Sequence, residues 1–337
     1  MKIIVENSTW NNVGDGWYQS ALYNLLKQLY PNYEVKMGEG PIRRAFKIRN
    51  AKQFENRFEM MEYQKGDVHI FSGPMMKEIV GDYKSKIIEI KERGAEYAFI
   101  SASGAKITSS FLNEIGSFLE KYPPLFLSSR DEQTYHNFKG FVKNSYNGIC
   151  TAFLVDKMLP LDSFEMDKPF FVSSFYRELE PYYSLIDRTK GVSLGNIKVD
   201  RKETYLNLNF KYARHFNFMR PKQESLEDYH VVRLIQEINS RFNHINFALP
   251  NSFVSFNPLS SLNLIKSAEF VISDRVHACA TALACNRPAQ FLHDTPRAGI
   301  FTRMGFDYKA NNGILYPNLE IIDDELEKMS QAILKAI

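Results

Sequence analysis

Residues 270–285 read FVISDRVHACATALAC, and the pattern of this stretch changes abruptly in its middle. The apolar run at 270–272 is typical of a buried strand, whereas the small residues at 278–285 are typical of a packed helix. The polar residues at 273–277 are therefore predicted to form a strand-to-helix turn. In open α/β sheets such turns lie at the carboxyl edge, which is where ligands bind.

The same alternation of short apolar runs and amphipathic stretches extends over the rest of the 337 residues. It predicts an α/β protein built from βα units on parallel sheets. The predicted strands are 2–5, 68–71, 97–100, 125–127, 170–174, 245–249, 270–272 and 288–292. The predicted helices are 17–30, 84–93, 111–122, 226–242, 259–267, 275–285 and 324–336. Residues 181–221 have weak periodicity and receive no assignment.

Proline and aspartate residues interrupt the pattern at 159–168, which predicts a linker between domains. At roughly 150 residues per domain, the length also favours two domains. We predict an N-terminal Rossmann-like domain at 1–160, a C-terminal Rossmann-like domain at 168–318 and a C-terminal helix at 319–337. Two open α/β halves of this kind bind their ligand in the cleft between them.

Composition argues against several classes of function. The formal net charge is only +3, and no basic stripe is present, so we expect no nucleic-acid partner. The three cysteines contain no Cys-x-x-Cys pair, which argues against a zinc ribbon or a disulfide framework. No segment approaches the roughly 18 apolar residues of a membrane span. We therefore expect a soluble, cytoplasmic protein.

The first candidate site residues follow the first predicted strand, in the segment Asn12-Val13-Gly14-Asp15. Gly14 permits close backbone approach, and the N–H groups at the start of the next helix can hold an anion. Asp15 is interpreted first as a helix cap and second as a catalytic carboxylate. The segment lacks the third glycine of a dinucleotide-binding fingerprint, so NAD binding is not predicted.

The turn at 273–277 carries the most specific candidates. Ser273 or Asp274 can cap the following helix, while Arg275 and His277 point in different directions and could hold different parts of one ligand. The helix N-terminus favours a phosphate or carboxylate and lowers the pKa of a histidine. The alternative interpretation is a surface salt bridge for Arg275 and a packed histidine beneath a loop.

Further arginines follow two other predicted strands. Arg130 lies directly after the strand at 125–127, and Arg297 and Arg303 follow the strand at 288–292. Because consecutive βα units are usually neighbours, the last two are expected near the turn that carries His277. All three are candidates for anion binding, with solvated charges as the alternative.

In this order the segments resemble the polysaccharide pyruvyl transferase family. The resemblance rests on Asn12-Val13-Gly14-Asp15, on Ser129-Arg130-Asp131, and above all on the Arg-x-His pattern of residues 273–288. Two departures stand out. The family usually has a glycine run after its second strand, where Gly73 is alone here, and it often has a lysine where only Arg297 can be aligned.

The resemblance implies two Rossmann-like domains with a cleft between them, as in glycosyltransferases of the B type. It implies transfer of the pyruvyl group of phosphoenolpyruvate onto a sugar, forming a pyruvate ketal in exopolysaccharide or cell-wall synthesis. The acceptor side would lie on the N-terminal domain and the donor side on the C-terminal domain. The implied partners are a glycan or lipid-linked sugar, with peripheral contact to membrane-bound glycan machinery at the inner face. Neither a metal nor an organic cofactor is expected.

The chemistry implied by the family assigns a role to each candidate residue. His277 would be the general acid that protonates the methylene carbon, and Asp15 would accept a proton from the sugar hydroxyl. The residues expected to bind substrate are Arg275, Asn12, Gly14, Ser273, Arg130, Arg297 and Arg303. Two alternatives stay open: a glycosyltransferase that uses a nucleotide sugar, and a non-catalytic relative that binds glycans.

Overall fold

The computed structural model describes residues 1–40, 50–104, 107–200, 222–237 and 246–337. The strands of the N-terminal half are β1 (Lys2–Glu6), β2 (Glu34–Met37), β3 (Val68–Gly73), β4 (Glu96–Ala102), β5 (Phe126–Ser129) and β6 (Ser145–Tyr146). They form one parallel sheet in the order β2-β1-β3-β4-β5-β6. Their carboxyl ends therefore lie along one edge.

Helices cover both faces of this sheet. They are α1 (Val13–Leu29), α2 (Ala51–Glu55), α3 (Met60–Tyr63), α4 (Lys84–Glu92), α5 (Ser109–Lys121), α6 (Glu132–Phe138) and α7 (Val155–Met158). Alternate residues of β3 face opposite sides, so Ile70 packs in the core that contains α1, and Phe71 packs in the core that contains α4 and α5. Burial on both faces explains why these strands are continuous apolar runs.

The C-terminal half contains a second sheet. Its strands are β7 (Phe170–Ser174), β10 (Ser225–Leu226), β11 (Tyr229–Leu234), β12 (Ser252–Phe253), β13 (Val271–Ser273), β14 (Ala289–Phe291) and β15 (Ile314–Leu315), while β8 (Tyr182–Leu185) and β9 (Ile197–Asp200) form a separate hairpin. The main order is β10-β11-β7-β13-β14-β15, with β12 beside β11. The edge strands β10 and β15 are antiparallel, and the others run parallel.

The two halves share one hydrophobic core. The remaining helices are α8 (Pro258–Ser267), α9 (Val276–Ala284), α10 (Gly299–Arg303) and α11 (Leu319–Ala336). The core that holds α1 also contains residues of α8, α9 and α11, and the indole of Trp17 donates a 2.8 Å hydrogen bond to Ser261. This packing brings the start of α1 against the start of α9. Of the helices described here, none combines the length and apolar character needed to cross a bilayer.

Most predicted elements are confirmed, but two assignments in the C-terminal half are wrong. The predicted helix at 226–242 is replaced over its described part by β10 and β11, and residues 246–249 belong to a turn rather than to the predicted strand. The run at 231–234 is fully buried within the sheet, and a short apolar run of this kind has no clear period. Residues 238–245 lie outside the described residues, as does 201–221 of the unassigned segment.

Candidate active site

The turn after β13 is held by Ser273. Its hydroxyl donates to the carbonyl of Ser174 at 2.6 Å and accepts from the backbone N–H of Arg275 at 2.9 Å. Ser273 is completely buried and these bonds shape the turn, while its predicted contact with a substrate stays a prediction. Arg275, rather than Ser273 or Asp274, occupies the N-cap position of α9.

Asp274 joins this turn to the loop after β7. Its carboxylate accepts hydrogen bonds from three consecutive backbone N–H groups, those of residues 176, 177 and 178. Burial raises the pKa of Asp274, while Arg275 and the three N–H groups oppose the shift. The loop consequently presents the ring of Tyr176 to Arg275, whose guanidinium lies 4.9 Å from the ring centroid.

His277 lies in the first turn of α9 and meets the turn after β5. Its Nε2 is 3.2 Å from Nη1 of Arg130, and its ring packs 4.9 Å from the ring of Tyr18. A guanidinium only donates hydrogen bonds, so Nε2 must accept, and the proton of the neutral imidazole is on Nδ1. Two turns from different sheets thus form one polar cluster.

The charged groups that shift the pKa of His277 are all arginines. Burial, followed by the guanidiniums of Arg130, Arg297 and Arg275, holds the pKa of His277 well below its usual value. The imidazole is therefore neutral at pH 7 in the ligand-free protein. This lowering of the pKa agrees with the prediction made from the helix N-terminus. Its larger causes, however, are burial and three arginines from different parts of the chain.

Arg297 lies on the open side of the same cluster. A Cβ placed on Gly299 would lie 3.4 Å from that of Asp131, so the loop carrying Arg297 packs beside Arg130. Surrounding protein atoms, Arg130 and Arg275 lower the pKa of Arg297, although its side chain is exposed to solvent. Asp15 opposes this shift, which places its carboxylate within electrostatic range of Arg297.

The start of α1 closes the cluster from the N-terminal half. Asn12 is the N-cap residue, and its Oδ1 accepts from the N–H of Gly14 at 3.3 Å. Asp15 lies in the first helical turn, three residues after the cap, which agrees with the prediction that it lies at or near the N-cap. A Cβ on Gly14 would lie 3.4 Å from Nδ1 of His277, which shows how closely this backbone approaches the imidazole.

A sequence model of polysaccharide pyruvyl transferases matches residues 12–291, which is most of the chain and includes every residue of this cluster except Arg297. The chain belongs to the polysaccharide pyruvyl transferase family. The predicted family is thereby confirmed. No curated protein matches the sequence.

Solved structures with the same fold come from sugar-nucleotide enzymes. An MnaA–UDP co-structure from S. aureus has 12% identity and a TM-score of 0.51, and covers 99% of this chain and 91% of its own. A Listeria monocytogenes protein assigned as a UDP-N-acetylglucosamine 2-epimerase has 11% identity and a TM-score of 0.53. The match covers 100% of this chain and 91% of the Listeria chain. At this identity the likeness shows the fold alone. It confirms that this protein has two Rossmann-like domains of the glycosyltransferase-B type.

Arg303, which the sequence predicts to bind an anion, makes its described contacts within the protein. Its guanidinium bonds the carbonyl of Asn147 at 2.7 Å and the carboxylate of Glu325 at 2.6 Å, so it ties α10 to α11. The structure gives Arg303 a structural role in place of the predicted anion contact. The sequence could not indicate this pairing, because Glu325 is 22 residues away on a separate helix.

The Arg303 pairing can be tested directly. We expect Arg303→Met to lower the free energy of unfolding by about 1–3 kcal/mol, because it leaves the partly buried Glu325 carboxylate with only the longer 3.8 Å contact to Lys328. Ligand affinity should stay within about twofold of the wild type, since the side chain is committed to the protein. Chemical denaturation and ligand titration measure the two effects. A selective loss of anion binding with unchanged stability would restore the original prediction.

Sequence reasoning missed three residues of the cluster. Tyr18 belongs to the predicted helix at 17–30 and was not a candidate, yet its ring contacts His277 and lies 5.8 Å from the guanidinium carbon of Arg130. Gln236 and Glu237 follow β11, in the segment that was predicted as helix. The signal was present in principle, because polar residues directly after a strand mark the carboxyl edge.

Proposed function

We propose that this protein transfers the pyruvyl group of phosphoenolpyruvate onto a sugar of a polysaccharide or its precursor, forming a ketal and releasing phosphate. One observation carries the proposal. Arg130 is buried, its Nε has no hydrogen-bond partner, and among the described residues no carboxylate forms an ion pair with it. A buried charge without a partner is costly, so such an arginine is suited to an anionic ligand.

The arginine cluster suits the two anionic groups of phosphoenolpyruvate. Arginine forks pair with phosphate and carboxylate oxygens, and the N-terminus of α9 adds partial positive charge. Arg130, Arg275 and Arg297 all act electrostatically on His277, so a ligand that binds them lies beside the imidazole. This supports placing the methylene carbon of the substrate within reach of the proposed acid.

The proposed reaction starts when bound phosphoenolpyruvate draws the Arg130 N–H away from Nε2 of His277. The negative charge of the ligand then raises the pKa of His277 and allows Nε2 to take up a proton. His277 gives this proton to the methylene carbon, producing an oxocarbenium-like centre. A sugar hydroxyl attacks this centre and passes its proton to Asp15.

Loss of phosphate from the tetrahedral product regenerates an oxocarbenium-like centre. A second hydroxyl of the same sugar attacks it, closing the ketal. Of the two hydroxyl protons released, one replaces the proton delivered to the methylene carbon, and the other leaves with the phosphate. Acid, base and anion contacts all come from side chains, which is why we propose that no metal or organic cofactor takes part.

The decisive experiment is phosphate release from phosphoenolpyruvate with a panel of acceptor glycans in the presence of EDTA. We expect release that depends on the acceptor. Lipid-linked acceptors presented on vesicles test whether the protein acts at the inner face of the cytoplasmic membrane. Release in none of these reactions would contradict the proposed activity and favour a non-catalytic, glycan-binding relative.

A thermal-shift comparison separates the proposed donor from a nucleotide sugar. At a concentration of one hundred times Kd, a ligand stabilises the native state by about 2.7 kcal/mol. We expect phosphoenolpyruvate to raise Tm accordingly and UDP to leave it unchanged. The comparison matters because the S. aureus relative binds UDP on the same fold. Stabilisation by UDP alone would instead favour the glycosyltransferase alternative.

A further inference from the structure

A buried carboxyl group lies beside the arginines of the proposed anion site. Asp274 is 2% exposed and directly precedes Arg275 in the chain. When it is ionised, a carboxylate at this position weakens the binding of an anion by like-charge repulsion. Its charge therefore does not explain why a carboxyl group is located here. Its hydrogen bonds within the described residues suggest a different role, because all of them come from backbone N–H groups.

These bonds fix three consecutive residues of the loop that follows β7. Oδ2 of Asp274 accepts from the N–H of Tyr176 at 2.9 Å, from the N–H of Arg177, and from the N–H of Glu178 at 2.7 Å. Oδ1 accepts a second, 3.0 Å bond from the N–H of Tyr176. Three donors thus converge on one oxygen, and the path of the loop depends on an acceptor at that point.

The side chains of this loop contact the two segments that carry arginines of the anion site. The ring of Tyr176 lies 4.9 Å from the guanidinium carbon of Arg275. The carboxylate of Glu178 bonds Nδ1 of His293 at 2.7 Å, and His293 begins the segment that continues to Arg297. The loop held by Asp274 therefore links the segments of two proposed ligand-binding side chains.

Arg275 depends on this loop more than on any other described part of the protein. Within the described residues its guanidinium forms no hydrogen bond, and its ion pair with Glu237 is long, at 3.8 Å. The ring of Tyr176, whose hydroxyl donates to Glu237 at 2.9 Å, is the surface against which the guanidinium is ordered. A long side chain that is already ordered loses less conformational entropy when a ligand binds it.

We propose that Asp274 is a positioning residue that raises the affinity of the site for anions, because it fixes the loop that orders Arg275 through Tyr176. This inference rests on the proposed function and deepens it by stating how one of the anion-binding side chains is preorganised. Asp274 itself contacts no substrate in this scheme. If Asp274 acted only through its charge, its removal would strengthen anion binding. The two roles thus predict effects of opposite sign.

The test compares Asp274→Ala with Asp274→Asn. Both substitutions remove the charge, but asparagine keeps an oxygen where the three N–H groups converge. Tyr176→Leu removes the ring, and the double variant Asp274→Ala/Tyr176→Leu shows whether the two residues act through each other. Arg233→Met is the control for destabilisation, because it breaks a buried ion pair in the same half. Isothermal titration calorimetry gives Kd for phosphoenolpyruvate and, separately, for inorganic phosphate.

We expect Asp274→Ala and Tyr176→Leu each to raise both Kd values by about 5–15-fold, since Arg275 must then be ordered by the ligand. Asp274→Asn should stay within about twofold of the wild type, as should Arg233→Met. The double variant should bind no more weakly than Tyr176→Leu. Tyr176 is partly exposed, so Tyr176→Leu tests the inference even where Asp274→Ala folds poorly.

Unchanged or tighter binding by Asp274→Ala would overturn the inference, and so would unchanged binding by Tyr176→Leu. Equal losses in the alanine and asparagine variants, additive losses in the double variant, or a wild type that binds neither anion would also contradict it. The phosphate titration keeps this result separate from the proposed function. Phosphate binding with the expected pattern, together with no binding of phosphoenolpyruvate, would overturn the proposed function alone.

Discussion

Replacing Arg130 with methionine is expected to reduce kcat/KM for phosphoenolpyruvate by about 10²–10³-fold, the usual cost of removing one group that stabilises developing charge. Arg130 is the most buried of the cationic side chains around His277 and has an unpartnered Nε. In the proposed complex, the anionic substrate is the group that pairs with the charge of Arg130. Steady-state phosphate release at varied phosphoenolpyruvate measures the loss.

The same substitution should not weaken the fold. It removes a buried charge that has no carboxylate partner, so the free energy of unfolding is expected to fall by no more than about 1 kcal/mol. Arg233→Met is the control, because Arg233 is equally buried but pairs with Glu180 at 3.0 Å through two nitrogens. Breaking that pair should cost about 3–5 kcal/mol. Denaturant titrations of the two variants provide the comparison.

Equal destabilisation of the two variants would show that Arg130 is a structural residue. Retention of activity in Arg130→Met would be equally damaging to the proposed function. The two variants are expected to behave differently in the stability assay. Arg130→Met should lose activity and keep its stability, whereas Arg233→Met should lose stability. If Arg130 only filled space in the core, its substitution would not lower activity without also lowering stability.

His277→Asn is expected to lower kcat by about 10²–10⁴-fold, the contribution of a positioned general acid. The affinity for phosphoenolpyruvate should change only severalfold, since the arginines that bind the anion remain. The exposed His136 provides a control, and His136→Asn should leave both quantities unchanged. Turnover of His277→Asn near the wild-type rate would refute the assignment of the acid.

Because His277 is neutral in the free protein, proton uptake on ligand binding can also be measured. Burial and three guanidiniums keep the pKa of the free imidazole low, and ligand charge should raise it towards neutrality. Binding of phosphoenolpyruvate near pH 7 is therefore expected to take up protons. Calorimetry in buffers of different ionisation enthalpy measures this uptake. The difference between the wild type and His277→Asn isolates the imidazole, because proton changes on the ligand phosphate are common to both proteins.

Local patterns in the sequence were enough to predict most of the βα units. The run at 270–285 specified a strand, a turn and a helix, since the apolar period changes from strand to helix within it. The helix predicted over β11 was the main failure. Its buried run has no diagnostic period, and its neighbours in the sheet, β7 and β12, are set by tertiary pairing.

The sequence by itself determined the α/β class, the family, and the positions of Arg130, Arg275 and His277 directly after strands, because these depend on neighbouring residues. Only the tertiary structure decided which of these positions meet. Arg130 reaches His277 across 147 residues, Ser273 is buried, and Arg303 pairs with Glu325. These outcomes depend on how two sheets pack through a shared core and on the direction in which each side chain leaves its backbone, and no local pattern specifies either.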